Sequence, residues 1–409
     1  MTGKLQEGIY HAPGVTPGKF FNILFLRALP GLSGRQVGEA FGKLWQIYQD
    51  LKNGKSADLP GQPFCDGDLT VLVGYGANVF KLPNIQRHLP THIKKFGAFR
   101  SPLPTGGGSL LIGSGLQYAD DVKTNPATEE IAVQFIAETQ LAANRAVVET
   151  WKALQSMSDP AIGAAPLLLT GFYSGFQRDD GRSWIDFHDG ISNMESSKRE
   201  GAITIKPRPP EEEWIEGGTY LAFLRIAVDL TVWQKLNRQQ QELLVGRDRL
   251  TGCPLVSLDS AGNPVIKTGC PVTGRKNVSS PDNEAFFEPD DVNDAVLKQS
   301  HVQRANHHQE PENDHSTLRI FRQGYEFLEP LDSAPGFRTG LNFVSFQDTP
   351  ERLLRMLTSE TWLGDTNFGG DPKNQLPGMD KFLSLRAAAI FLVPPVVEDE
   401  LFPGASIFM

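Results

Sequence analysis

Basic charge is scarce in this chain: 39 Lys and Arg against 48 Asp and Glu leave its 409 residues at −9. A phosphate backbone would meet net repulsion, and no basic patch stands out, so nucleic-acid binding is excluded. Long apolar runs are missing as well. The longest, at 387–395, is far too short to cross a bilayer, so no membrane span is expected. The opening Met-Thr-Gly-Lys-Leu-Gln-Glu lacks a basic stretch followed by an apolar one, so no secretory leader is visible and a cytoplasmic location is expected. Cysteine is rare too. Cys65, Cys253 and Cys270 are odd in number and outside C-x-x-C spacing, so neither a disulfide framework nor a structural zinc site is expected. Cys253 and Cys270 each sit in Thr-Gly-Cys-Pro, which reads as a local duplication in a turn. What remains, 40% hydrophobic and 21% charged residues, describes a folded chain with core enough for two or three domains.

Both halves of the chain follow one order of elements. Residues 22–29 read as a strand. A helix follows, with Ser33 as N-cap, Gln36 completing a capping box, and Gly54 at its end. Val37, Ala40, Phe41, Leu44, Trp45 and Tyr48 fall at helical spacing within it. Residues 68–75 and 109–117 read as strands, the second after a Gly106-Gly107-Gly108 turn. The pair Asn125-Pro126 predicts the start of a long helix to about 154, and 167–173 predicts a closing strand. The second half predicts a strand at 219–229 and a helix at 230–245 stopped by Gly246. Strands at 318–327 and 341–346, a helix from Thr349-Pro350 to about 360, and a strand at 387–393 complete it. This β-α-β-β-α-β order, met twice, predicts an α+β fold of two ferredoxin-like domains, 1–183 and 184–409, with antiparallel sheets packed together. A polar segment, 247–315, interrupts the second half and carries four of the eight histidines. A loop that long inside a compact domain calls for a function.

Three places carry residues suited to chemistry. In Asp186-Phe187-His188-Asp189-Gly190-Ile191-Ser192-Asn193, Asp189 precedes a glycine and Phe187 offers apolar cover. A carboxyl group so placed can carry a raised pKa and shuttle protons, whereas a plain Asp-Gly turn is the simpler reading. His301, in Ser300-His301-Val302-Gln303-Arg304, offers an imidazole to iron or zinc, or is merely solvated. His307, His308 and His315 with Glu310 form a rival metal cluster, though their irregular spacing suits a polar surface. Arg322 shares a strand face with Leu318 and Ile320, so it needs either an ion-pair partner or an anionic or peroxide ligand.

Together and in this order, these elements resemble the dye-decolourising peroxidases over nearly the whole chain. The resemblance rests on Phe187-His188-Asp189-Gly190-Ile191-Ser192-Asn193, on Gly246-Arg247, and on His301 with Arg304-Ala305-Asn306. Arg322-Gln323-Gly324 and Gly340-Leu341-Asn342-Phe343 complete it. It implies a haem enzyme that reduces hydrogen peroxide and oxidises dyes or phenols in one-electron steps, with haem b in the C-terminal half. His301 is then the axial ligand, and Asp189 and Arg322 lie on the opposite face. Phe187, Gly190, Asn193, Arg304, Leu341 and Phe343 become cofactor contacts. Asp371, or else Asp380, is the carboxylate expected behind the imidazole, and Trp184 and Tyr325 are candidate electron relays or plain core. The chain departs from the family pattern at Asp186, which replaces a glycine and brings a second carboxylate near Asp189. Gln303 stands where an arginine is frequent, and Gly324 where some members have asparagine. A haem carrier with little turnover is the alternative. The apolar residues at 405–409 are expected to seat against the fold or, in a homo-oligomer, against a neighbouring subunit.

Overall fold

The computed structural model describes residues 3–96, 116, 118–119, 125–158, 165–270, 288–306, 318–331, 335–357, 362–369, 373 and 380–409. Its strands are β1 (Phe20–Ala28), β2 (Thr70–Tyr75), β3 (Ile131–Ala137), β4 (Leu167–Phe176), β5 (Thr219–Val228), β6 (Leu255–Leu258), β7 (Pro264–Ile266), β8 (Phe321–Pro330), β9 (Phe337–Gln347) and β10 (Leu383–Val393). The helices are α1 (Gly34–Lys52), α2 (Thr91–Phe96), α3 (Gln140–Ser156), α4 (Ser196–Ile203), α5 (Leu230–Trp233), α6 (Arg238–Val245), α7 (His301–Ala305) and α8 (Glu351–Leu357).

All strands but the β6–β7 hairpin close one antiparallel barrel, in the order β1-β3-β2-β10-β5-β9-β8-β4. Within it, β4-β1-β3-β2 and β10-β5-β9-β8 repeat the fourth-first-third-second order of a ferredoxin-like sheet. The two sheets meet edge to edge at narrow seams, Tyr75 against Leu392 and Phe176 against Glu326. Between them the interior is filled by Phe21, Phe25, Phe223, Phe346 and Phe391, and Tyr325 stacks on Phe21 at 4.6 Å. On the outside of the N-terminal half, α1 and α3 lay Phe41, Leu44, Ala146 and Val147 over Val71, Val73 and Phe135. Helix α1 begins with the expected Ser33–Gln36 capping box. The apolar C-terminal residues join this layer: Phe408 is buried, and a Cβ on Gly38 would lie 2.6 Å from the Phe408 Cβ.

Three expectations need correction. No long helix starts at Asn125, which caps only a short turn at Pro126–Thr128 before β3; α3 begins later, capped by Thr139. All seven β3 residues are buried, with Val133 and Phe135 facing the helices and Ala132 and Ile136 facing the barrel interior. A strand covered on both faces has no alternation to read. The strand expected at 109–117 lies outside the described residues except for Leu116. The helix expected at 230–245 is two, because Asn237 and Gln240 form a fresh capping box that starts α6, which Gly246 ends at φ +84°. Finally, Cys253 and Cys270 form a disulfide, with Cα atoms 6.0 Å apart. The two Thr-Gly-Cys-Pro segments flank the β6–β7 hairpin, so its pairing of Leu255 with Ile266 brings them together. Cys65 is free and exposed. Among the described residues no helix is long and apolar enough to cross a membrane.

Candidate functional site

The outer face of the C-terminal sheet is hollow where its N-terminal counterpart is filled. A cavity of about 300 Å³ lies there, the lower end of the range for ligand pockets. Strands β5, β8 and β9 turn Leu224, Ile226, Arg322, Glu326, Leu341 and Phe343 toward it. The segment after β4 contributes Trp184, Phe187 and Asp189, and the long insertion contributes Arg247 and His301. Leu318, Ile320 and Arg322 all line the cavity, as does Arg319 ahead of β8; within the strand Arg322 and Glu326 face it while Phe321 and Tyr325 turn into the barrel.

Main-chain groups fix the wall that carries Asp189. Its N–H donates to the Gly181 carbonyl at 2.9 Å, and its Oδ1 accepts from the Gly190 N–H at 2.7 Å. Gly190, at φ +76°, makes the turn and is not itself on the lining. Asn193 is likewise behind the wall. Its Nδ2 donates to the Arg322 carbonyl at 2.8 Å and its Oδ1 accepts the Arg322 N–H at 3.2 Å. Arg322 Nη2 donates to the Ile191 carbonyl at 2.7 Å, so one loop aims both the carboxylate and the guanidinium. Gly324 makes this geometry fit, since a Cβ there would stand 2.9 Å from Asp189 Oδ2. The missing asparagine thus leaves room for the carboxylate. Arg247 is fully buried, donating from Nη1 to the Gly252 carbonyl at 2.9 Å and from Nη2 to Ser192 Oγ at 2.8 Å. Burial, and then the charge of Arg322, pull its pKa down to about 9.

His301 opens α7 and packs against Phe368 and Trp362, with ring centroids 4.5 and 5.8 Å away. Burial, and then the charges of Arg322 and Arg247, push the imidazole pKa down to about 3, so it is neutral, the form that binds a metal. Its Nδ1 is buried with no hydrogen-bond partner among the described residues. Asp380 is exposed and does not line the cavity, so it is not the carboxylate behind this ring; Asp371 lies outside the described residues. His307, His308, Glu310 and His315 also lie outside them, and no other group of three His, Cys, Asp or Glu side chains among the described residues is placed to hold a metal ion.

The other expected residues are scattered. Asp186 is exposed at φ +65°, the left-handed backbone where a glycine would be unstrained, and its carbonyl accepts from Arg182 Nη1 at 2.6 Å. It does not face the cavity. Arg304 is not on the lining, and Gln303 donates to the Asp290 carbonyl at 2.7 Å. Trp184 lines the cavity, with its Nε1 donating to the Phe327 carbonyl at 3.0 Å, whereas Tyr325 is sealed inside the barrel. Two buried ionisable residues on the lining were not anticipated as site residues, Arg247 and Glu326. Period-two counting from Arg322 through Gly324 would have pointed to Glu326. An apolar slot lined by the neutral His301 imidazole, by Arg247, Arg319, Arg322 and Arg352, and by carboxyl groups on one wall suits a flat, metal-bearing, anionic cofactor and proton movement beside it.

Comparison with known proteins places these features in context. Residues 180–398 match the family model described as Dyp-type peroxidase, C-terminal. A dye-decolorizing peroxidase of Thermobifida fusca is 31% identical over 213 residues, covering 51% of this chain and 41% of that protein. A deferrochelatase of Escherichia coli is 23% identical over 171 residues, covering 41% of this chain and 35% of its own. The matched stretch thus spans less than half the length of these curated relatives. Among solved structures, ferric DtpA from Streptomyces lividans superposes with a TM-score of 0.66 at 19% identity, over 98% of this chain and 94% of that one. A Rhodococcus jostii DypB variant in complex with heme superposes with a TM-score of 0.57 at 16% identity, over 97% of both chains. At such identities the likeness is one of fold.

Proposed function

The chain belongs to the Dyp-type peroxidase family, and from that premise we propose that it is a haem-dependent peroxidase that reduces hydrogen peroxide and oxidises dyes, phenols or similar donors in one-electron steps. The observation that carries this reading is the meeting of Asp189, His301 and Arg322 around one cavity from segments more than a hundred residues apart in the case of the first two. Haem b fits the residues present. His301 offers a neutral, buried imidazole, Phe187, Leu341 and Phe343 offer apolar contact, and the arginines suit anionic edges. When bound, haem supplies a redox-active iron that passes two electrons to peroxide and recovers them singly from a donor.

The chain's own residues have divided tasks. His301 holds the iron. Asp189 moves a proton from one peroxide oxygen to the other, a transfer for which a carboxylate within hydrogen-bond reach is suited. Arg322, aimed by Ile191 and Asn193, stabilises the negative charge that grows on the departing oxygen. Leu341 and Phe343 keep bulk water from that site. Trp184, on the wall and under the guanidinium of Arg178 at 5.2 Å, carries electrons from donors too large to enter.

Absorption spectroscopy of the chain expressed with haem supply is the test. A Soret band in the wild type, changed or lost in His301→Ala, is the expected result; a colourless protein, or an unaltered spectrum in the variant, refutes the assignment. The likeness to a deferrochelatase favours a second reading, a haem-handling protein with little peroxidase turnover. Steady oxidation of ABTS by the haem-loaded chain would exclude it.

A further inference from the structure

The cavity contains a second carboxyl group for which the tasks above have no use. Glu326 is only 5% exposed and lies at the barrel seam, opposite Phe176 of β4 and Leu341 of β9. With Arg322 and Gly324 it makes up the outward row of β8. Asp189 rests on the middle of that row, its Oδ2 over the Gly324 backbone. The main chain of Trp184 hydrogen-bonds the Glu326 carboxyl group, yet its Oε1 is buried with no partner among the described residues. An unpaired buried carboxylate oxygen is costly, whereas a protonated one becomes a donor with a carboxylate acceptor nearby.

We propose that Glu326 is a carboxylic acid that forms a one-proton pair with Asp189 and serves the cavity as its proton store. A carboxylate on the same wall disfavours the ionised form of a buried carboxyl group such as Glu326. The surroundings act in the same sense. Burial, then the charge of Asp189, raise the Glu326 pKa to about 9; Asp180 adds to the rise, and Arg178 opposes it. Arg247, Arg319, Arg322, Arg352, His188 and His301 line the same cavity, while the residues opposite Glu326 on β4 and β9 are apolar.

This role rests on the peroxidase reading. Converting one hydrogen peroxide to two waters takes two electrons and two protons beyond those the peroxide brings. Phenolic donors release both as each loses one electron and its O–H proton, but they do so at their own binding place. Protons must therefore enter the cavity separately. Glu326 gives its proton to Asp189 and is refilled from solvent, so it is a positioning residue that acts through Asp189.

Infrared difference spectroscopy on the purified full chain, stepped from about pH 6 to about pH 10, tests the pair whether or not the protein turns over peroxide. A protonated-carboxyl carbonyl band should be present at neutral pH, vanish as the pH crosses about 9, and be absent in Glu326→Gln. In Asp189→Asn the band should vanish at lower pH, because the repelling charge is gone. A band that survives in Glu326→Gln, or one whose titration Asp189→Asn leaves in place, overturns the pair. Glu326→Asp, which keeps the acid, should restore a titrating band if Glu326→Gln proves poorly folded; no such band would also overturn it. In the haem-loaded chain the rate of reaction with peroxide should fall as Glu326 loses its proton above about pH 9, and Glu326→Gln should lower that rate about tenfold at neutral pH and remove its dependence on pH there. Infrared bands as expected with no turnover in any form would instead sink the peroxidase reading and leave the pair standing.

Discussion

The two halves of the barrel share a topology and differ in what covers them. In the N-terminal half, α1 and α3 press side chains onto the outer sheet face, and the outward row of β2 is Val71, Val73 and Tyr75. In the C-terminal half the same strand position belongs to β8, whose outward row is Arg322, Gly324 and Glu326. The crossover after β5 is broken into two short helices, and the insertion behind it reaches over the sheet without filling it. A ferredoxin-like sheet needs a cover on its outer face. Here one copy meets that need with helix side chains and the other leaves a hollow lined with charge.

The sharpest way to break this contrast is to remove charge from the hollow. Arg322→Leu and Asp189→Asn should each slow the reaction of the haem-loaded chain with peroxide by about a hundredfold to a thousandfold in stopped-flow measurements. Unchanged rates in both would mean that the charged row is structural only. A smaller effect compares filled with hollow directly. Leu44→Ala, in the packed half, should cost about 2–5 kcal/mol in denaturant unfolding of the haem-free chain, because Leu44 is fully buried. Leu341→Ala, on the cavity wall, should cost less than Leu44→Ala, with equal losses refuting the distinction.

A further test asks whether the carboxyl group in the hollow is buried, and reads a dependence of stability on pH. Glu326 titrates at about 9 in the folded chain and near the ordinary carboxylate value of about 4.3 once unfolded. The folded chain therefore keeps a proton that the unfolded chain releases. The stability linked to it is full below about pH 4.3 and is lost as the pH rises through about 9. Melting temperatures of Glu326→Gln relative to wild type should climb across that interval and level off above it. A flat difference would mean that the carboxyl group is not buried.

What could be read from the chain alone follows the range of each signal. The capping box and apolar stripe of α1 are local, and the helix lies where they place it. Asp189, His301 and Arg322 were legible as short motifs in a set order, and all three border one cavity. Strand β3 was missed because burial on both faces removes its period, and the disulfide was missed because only the hairpin register joins its cysteines. Glu326 was missed for a related reason. Period two from Arg322 puts it on the cavity face, but its meaning comes from a loop more than a hundred residues away that lays Asp189 across Gly324.

The Cys253–Cys270 bridge links the handling of the protein to the shape of its cavity. The bridge shares a small buried cluster with Ile191, whose carbonyl seats the Arg322 guanidinium. A preparation stored in dithiothreitol and one purified in air are then two different materials at that seat. Specific activity will track the redox history of the sample even where haem content is the same.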